Sequence, residues 1–157
     1  MFCFQCQETA KNRGCTVKGV CGKNEETANL MDLLIHVLKG VSLYGEKVIE
    51  KGFLDPSYAR FLLDALFVTL TNTNFDSAQI SSRIRDALTI RDELKIKAGD
   101  AAKGIRHDSA LWNASGDSEF QLKAKEVGVL ATADEDVRSL RELLIYGIKG
   151  IAAYAHH

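Results

Sequence analysis

The residues best suited to chemistry lie together at one end of the chain. All four cysteines, Cys3, Cys6, Cys15 and Cys21, fall within the first 21 of 157 residues, in the pattern C-x2-C-x8-C-x5-C. A C-x2-C step presents two thiolates to one metal centre from a single turn, and four thiolates suit either zinc or an iron–sulfur cluster. Zinc fingers and ribbons usually pair two short-spaced knuckles, which the x5 gap fits less well. A cubane is larger than one ion and tolerates wider spacing. Free or disulfide-bonded cysteines are the third reading. The N-terminus lacks a charged n-region followed by a long apolar stretch, and no apolar run approaches the roughly 18–20 residues that span a bilayer. A cytoplasmic, soluble protein is therefore expected, and in a reducing compartment closely spaced cysteines are more often metal ligands than disulfides.

Residues 1–23 differ in kind from the rest. They carry Gly14, Gly19 and Gly22, show no helical period, and hold four cations (Lys11, Arg13, Lys18, Lys23) against one anion, Glu8. Those cations would offset the negative charge of a thiolate-bound cluster. Backbone N–H groups near Gly14 and Gly22 are expected to reach its sulfurs, and Phe2, Phe4, Val17 and Val20 to exclude water. The whole chain is nearly neutral, with a net charge of −1, and 46% hydrophobic, 26% charged. That composition excludes dominant disorder and gives no support for a nucleic-acid partner.

Beyond the cysteine segment the apolar residues recur at spacings of three and four, which predicts helices. Leu30, Leu33, Leu34, Val37, Leu38, Val41 and Tyr44 mark a first helix over 25–50. Asp55-Pro56 is a cap followed by proline at the first helical position, opening a second helix over 56–72. Asp76 caps a third over 77–98, with Ile80, Ile84, Ala87, Leu88, Arg91 and Leu94 on one side. A connector follows, with a short helix around Ala110–Trp112, and then a helix over 118–127. Thr132 and Glu135 have capping-box spacing and open a last helix over 133–156. No segment alternates at period two. The expected architecture is all-α, two three-helix bundles with an N-terminal cysteine-rich loop. It divides into the loop (1–23), the first helices (24–98) and a connector, short helix and long returning helix (99–157), one structural domain overall.

The last helix echoes the first. Leu33–Tyr44 aligned with Leu143–Tyr154 gives identity at six of twelve positions, including Gly40 with Gly150. Glycine inside a helix costs about 1 kcal/mol against alanine, so its presence in both predicts that these helices pack closely on each other or on the cysteine loop. His36 is read as a packed or surface histidine, His107 as solvated and Trp112 as a core contact. Arg83–Asp86 and Arg91–Glu93 are read as solvated helix surface. The chain ends Tyr154-Ala155-His156-His157 with no cap, as expected of a piece that stops inside a helix, and the two terminal histidines carry little weight as a metal site.

Met1-Phe-Cys-Phe-Gln-Cys-Gln-Glu-Thr9, Gly14-Cys-Thr-Val-Lys-Gly-Val-Cys-Gly-Lys23 and Leu140-Arg-Glu-Leu-Leu-Ile-Tyr-Gly-Ile-Lys-Gly-Ile-Ala-Ala-Tyr154 resemble the N-terminal domain of hybrid cluster proteins, also called prismane proteins or hydroxylamine reductases. The resemblance covers essentially the whole chain. It implies that Cys3, Cys6, Cys15 and Cys21 ligate the iron of one cluster, and the short gaps look like the class with a [4Fe–4S] cubane. It also implies two three-helix bundles. Family members are much longer, and their further domains hold a hybrid cluster where hydroxylamine or nitric oxide is reduced. This chain has no cysteine after Cys21, so the expected role is electron relay to domains that it does not contain. Alone it is expected to be inactive, with no catalytic residue of its own. Expected partners are those remaining domains, an electron donor and a second copy of the chain in a homo-oligomer, with no nucleic acid and no membrane. Two other functions fit the same residues, a stand-alone electron carrier and a zinc-stabilised helical interaction module.

Overall fold

A computed structural model describes residues 1–8, 10–52 and 55–156. Six α-helices follow one another: α1 Glu25–Glu50, α2 Pro56–Phe67, α3 Ser77–Ala98, α4 Asp108–Leu111, α5 Ser118–Val127 and α6 Glu135–His156. Three short 3-10 turns lie at Ala10–Asn12, Gly99–Ala102 and Val129–Ala131, and the described residues include no strand. The all-α expectation holds.

Helix α1 is the axis of the fold. Asn24 accepts from the Thr27 N–H at 2.8 Å, and Glu25 and Glu26 place negative charge on the first turn, where the helix dipole favours it. Leu30, Met31, Leu33, Leu34, Val37, Leu38, Val41, Tyr44 and Val48 are buried. Each large side chain so buried contributes about 1.5–3 kcal/mol. Around α1 pack α3, α4 and α5, which bring in Ile80, Ile84, Ala87, Leu88, Leu94, Phe120 and Ala124. Trp112 packs against this core with its ring 6.2 Å from that of Phe120.

Gly40 is where α1 meets α4. A Cβ there would stand 2.1 Å from the Ser109 carbonyl oxygen, so only glycine allows the approach. Nearby, Tyr44 Oη donates to the Ala110 carbonyl at 3.2 Å. The packing reason for Gly40 is therefore α4, and neither α6 nor the cysteine loop. A Cβ on its counterpart Gly150, or on Gly147, would meet nothing within 4 Å beyond its own stretch of helix. The repeat between α1 and α6 does not reflect glycine-mediated packing.

Helix α6 packs mainly on α2. Its apolar residues are mostly uncovered: Leu140, Leu143, Leu144 and Ile151 are 68, 70, 62 and 65% exposed. Buried Lys149 and Ala152 face inward.

Three local expectations are corrected. Helix α2 stops at Phe67 rather than 72 because hydroxyls take over its last carbonyls: Thr69 Oγ1 donates to Leu66 O at 2.7 Å and Thr73 Oγ1 to Phe67 O at 3.3 Å, and Asn72 turns to a left-handed φ of 63°. Helix α6 is capped by Asp134, which accepts from the Val137 N–H at 2.9 Å, in place of the Thr132–Glu135 box. Arg91 is not solvated: it is 2% exposed, donating to the Trp112 carbonyl and to Asp92 at 2.8 Å.

Candidate metal centre

The structure brings the four cysteines to one cavity of about 510 Å³, which Gln5 and Lys23 also line. Cys15 is buried, Cys3 partly so, and Cys6 and Cys21 are exposed; no disulfide links them. The thiols ring this cavity without converging on a point: among the described residues no three Cys, His, Asp or Glu side chains form a single-ion site.

The loop is held by its backbone and by glycine. Phe2 N–H donates to the Cys15 carbonyl at 2.9 Å, tying the C-x2-C end to the third cysteine. Gly19 N–H donates to Lys23 O at 2.7 Å and Gly22 N–H to Gly19 O at 2.8 Å, a tight turn that carries Cys21. A Cβ on Gly19 would meet Lys23 O at 2.8 Å and Cys21 Sγ at 3.3 Å. The Gly22 N–H is thus spent on the turn rather than aimed at sulfur.

Two helical elements anchor the peptide between Cys3 and Cys6. Thr71 Oγ1, in the turn after α2, donates to the Gln5 carbonyl at 2.8 Å. Tyr146 Oη, on α6, donates to the Phe4 carbonyl at 3.0 Å. Helix α6 therefore does reach the cysteine loop, through its tyrosine and not its glycines.

Of the four loop cations only Lys23 is buried, at 2% exposure. Its Nζ donates to Gln5 Oε1 at 2.7 Å, lies 3.1 Å from Met31 Sδ, and sits 5.6 Å from the Phe75 ring centroid. Burial lowers the Lys23 pKa, and Cys3, Cys21, Cys6 and Asp32 oppose that. Burial likewise raises the Cys3 thiol, against the Gln5 N–H and the Lys23 charge. On α1, burial pushes Asp32 up to about 7, with the Lys149 charge opposing. Lys149 donates to the Thr69 carbonyl at 3.2 Å and is itself lowered by burial.

Gln5 is the informative neighbour. Its Oε1 is committed to Lys23, which orients the amide, and its Nε2 is buried without a partner. A buried amide donor left unpaired costs about 1–3 kcal/mol. A cavity lined by four soft sulfur donors, beside a buried cation and an idle N–H donor, fits an anionic occupant rich in acceptor atoms. Thiolate-bound iron–sulfur clusters have that character.

Of the four residues expected to exclude water, Phe2 and Phe4 are half-buried, whereas Val17 and Val20 are 92 and 62% exposed. Sequence reasoning missed Gln5, Thr71 and Tyr146. The x2 position of Gln5 inside C-x2-C is a weak signal; Thr71 and Tyr146 act through hydroxyls that periodicity cannot flag. His36 is buried, its Nε2 2.9 Å from Asp108 Oδ2, and His107 Nδ1 lies 2.7 Å from Ser109 Oγ at the start of α4. Both are remote from the cysteine cavity in sequence and serve α4. His156 pairs with Asp64 at 3.2 Å and stacks on Phe67 at 4.0 Å; His157 lies outside the described residues.

The sequence that builds this scaffold falls in a known protein family. The chain matches the Prismane/CO dehydrogenase family over residues 1–157 and belongs to it. It is 53% identical over its whole length to a hydroxylamine reductase of Desulfitobacterium hafniense and covers 29% of that protein. It is 56% identical to one from Nitratidesulfovibrio vulgaris, covering 30%, and 45% identical to one from Clostridium botulinum, covering 32%. The chain thus spans less than a third of the length of these curated relatives. No helix among the described residues is long and apolar enough to cross a membrane.

Proposed function

We propose that this chain is the N-terminal electron-relay domain of a hydroxylamine reductase, and that Cys3, Cys6, Cys15 and Cys21 hold a [4Fe–4S] cluster. The observation that carries this reading is the placement of all four cysteines on one cavity together with buried Lys23 and the unpaired Gln5 amide. When bound, the cluster supplies reversible one-electron storage. The protein's own residues do the rest. Cys15 anchors the buried side, and Cys6 and Cys21 leave an edge open to solvent. Lys23 places a fixed positive charge beside the thiolates, and Gln5 Nε2 offers a hydrogen bond to the occupant. Thr71 and Tyr146 hold the Cys3–Cys6 peptide against the helices.

The parent enzyme is the proposed destination of the electrons, with hydroxylamine or a related nitrogen oxide reduced in its other domains. The uncovered apolar stripe of α6, Leu140, Leu143, Leu144 and Ile151, is where those domains would pack. The test is redox spectroscopy on anaerobically reconstituted protein. Visible absorbance that bleaches on one-electron reduction, and is lost in Cys15→Ser, supports the reading. A colourless protein after reconstitution contradicts it.

A further inference from the structure

The cysteine loop carries three cations with no structural duty. Lys23 is buried beside the thiolates, but Lys11, Arg13 and Lys18 are all exposed. None of the three takes part in an ion pair among the described residues. Their only acidic neighbour within the loop is Glu8. They are also close to the ligands. Lys18 is three residues from both Cys15 and Cys21, and Arg13 two from Cys15, which limits the Cα separations to about 11 and 7 Å. The same segment carries Val17 and Val20, large apolar side chains 92 and 62% exposed, and Val20 lines the cysteine cavity together with the solvent-facing Cys6 and Cys21.

An exposed apolar contact at the open edge of a redox centre, rimmed by unpaired charge of one sign, is the composition of a transient electron-transfer interface. Such encounters bury little area and rely on charge for rate and orientation. The remainder of the chain carries the compensating negative charge, since the whole is −1, so the positive charge is concentrated in this loop.

We propose that the exposed residues of the cysteine loop, the cations Lys11, Arg13 and Lys18 with the apolar Val17 and Val20, form the docking surface for an acidic one-electron carrier protein. The inference rests on the electron-relay reading above. The step is a single-electron transfer: the carrier is oxidised by one electron, the cluster is reduced by one, and no bond or proton changes place. The three cations steer the anionic carrier, and the two valines meet its apolar contact patch.

The test uses the reconstituted chain and a triple variant, Lys11→Glu/Arg13→Glu/Lys18→Glu, with a strongly acidic plant-type [2Fe–2S] ferredoxin as probe. Stopped-flow reduction by the reduced ferredoxin is expected to slow at least about tenfold at low salt in the variant. The wild-type rate is expected to fall with ionic strength and the variant's to lose that dependence. Reduction by methyl viologen radical, a small cation, serves as control and is expected not to fall. Ferredoxin titration followed by NMR gives a readout that needs no turnover, with shifts at the loop in the wild type and none in the variant. Equal ferredoxin rates and equal binding in both proteins overturn the proposal, as does binding of a DNA duplex as tight as that of ferredoxin. A protein that takes up no cluster yet still binds ferredoxin through these cations sinks the relay reading and leaves the docking surface standing.

Discussion

Lys23 Nζ and Gln5 Oε1 are 2.7 Å apart in a buried hydrogen bond beside the four cysteines. The bond does two things. It holds a positive charge where thiolate charge would accumulate, and it turns the Gln5 Nε2 donor away from Lys23, where it finds no protein partner. Lys23→Met keeps much of the volume and removes the charge. Its midpoint potential is expected to move to more negative values by tens of millivolts, the effect of losing a unit charge beside the thiolates at an effective dielectric near 20. Redox titration monitored by EPR checks this; an unchanged potential would separate Lys23 from the redox centre.

Thr71 and Tyr146 anchor the carbonyls of Gln5 and Phe4. Replacing the hydroxyls, in Thr71→Val and Tyr146→Phe, removes hydrogen bonds worth about 0.5–1.5 kcal/mol each. The helices should stay folded by circular dichroism while iron is lost faster to a chelator. The double variant should lose it fastest.

Gly40 and Gly150 occupy matching places in α1 and α6 but differ in surroundings. Gly40→Ala forces a Cβ into the Ser109 carbonyl and is expected to destabilise by about 1–3 kcal/mol through overpacking. Gly150→Ala meets no neighbour and is expected to stabilise this chain by up to about 1 kcal/mol. Thermal unfolding of the two variants should move in opposite directions.

Much of this was legible in the sequence, for identifiable reasons. Helices α1, α3 and α5 follow strict apolar periodicity with polar caps such as Asn24 and Asp76, and their ends match expectation. The four cysteines announced themselves by type and spacing. What was hidden depends on contacts between distant segments. The early end of α2 comes from threonine hydroxyls. The burial of Arg91 comes from a carbonyl 21 residues away. Gly40 is explained by α4, not by the helix it resembles. The site's supporting residues, Gln5, Thr71 and Tyr146, carry no pattern of their own; only folding gives them partners.

His36 supplies a pH test of the scaffold. Burial lowers its pKa to about 4, with Asp108 opposing, so the folded state keeps the ring neutral while the unfolded chain protonates near 6.5. Between those values the unfolded state binds more protons, and stability falls as pH drops through that window. Asp108 is held below its usual range because the Lys123 and His36 hydrogen bonds outweigh its burial, which adds a further loss at lower pH. Asp32, raised by burial to about 7, contributes the opposite slope over the same window, so the contribution of His36 is read against a variant: the melting temperature of His36→Gln should gain on that of the wild type as pH falls from 6.5 towards 4.

The proposed [4Fe–4S] cluster on Cys3, Cys6, Cys15 and Cys21 stands or falls on metal and acid-labile sulfide analysis of the anaerobically purified chain. About four iron and four sulfide per chain are expected, falling sharply when any of the four cysteines is changed to serine. Stoichiometric zinc with no sulfide would contradict it.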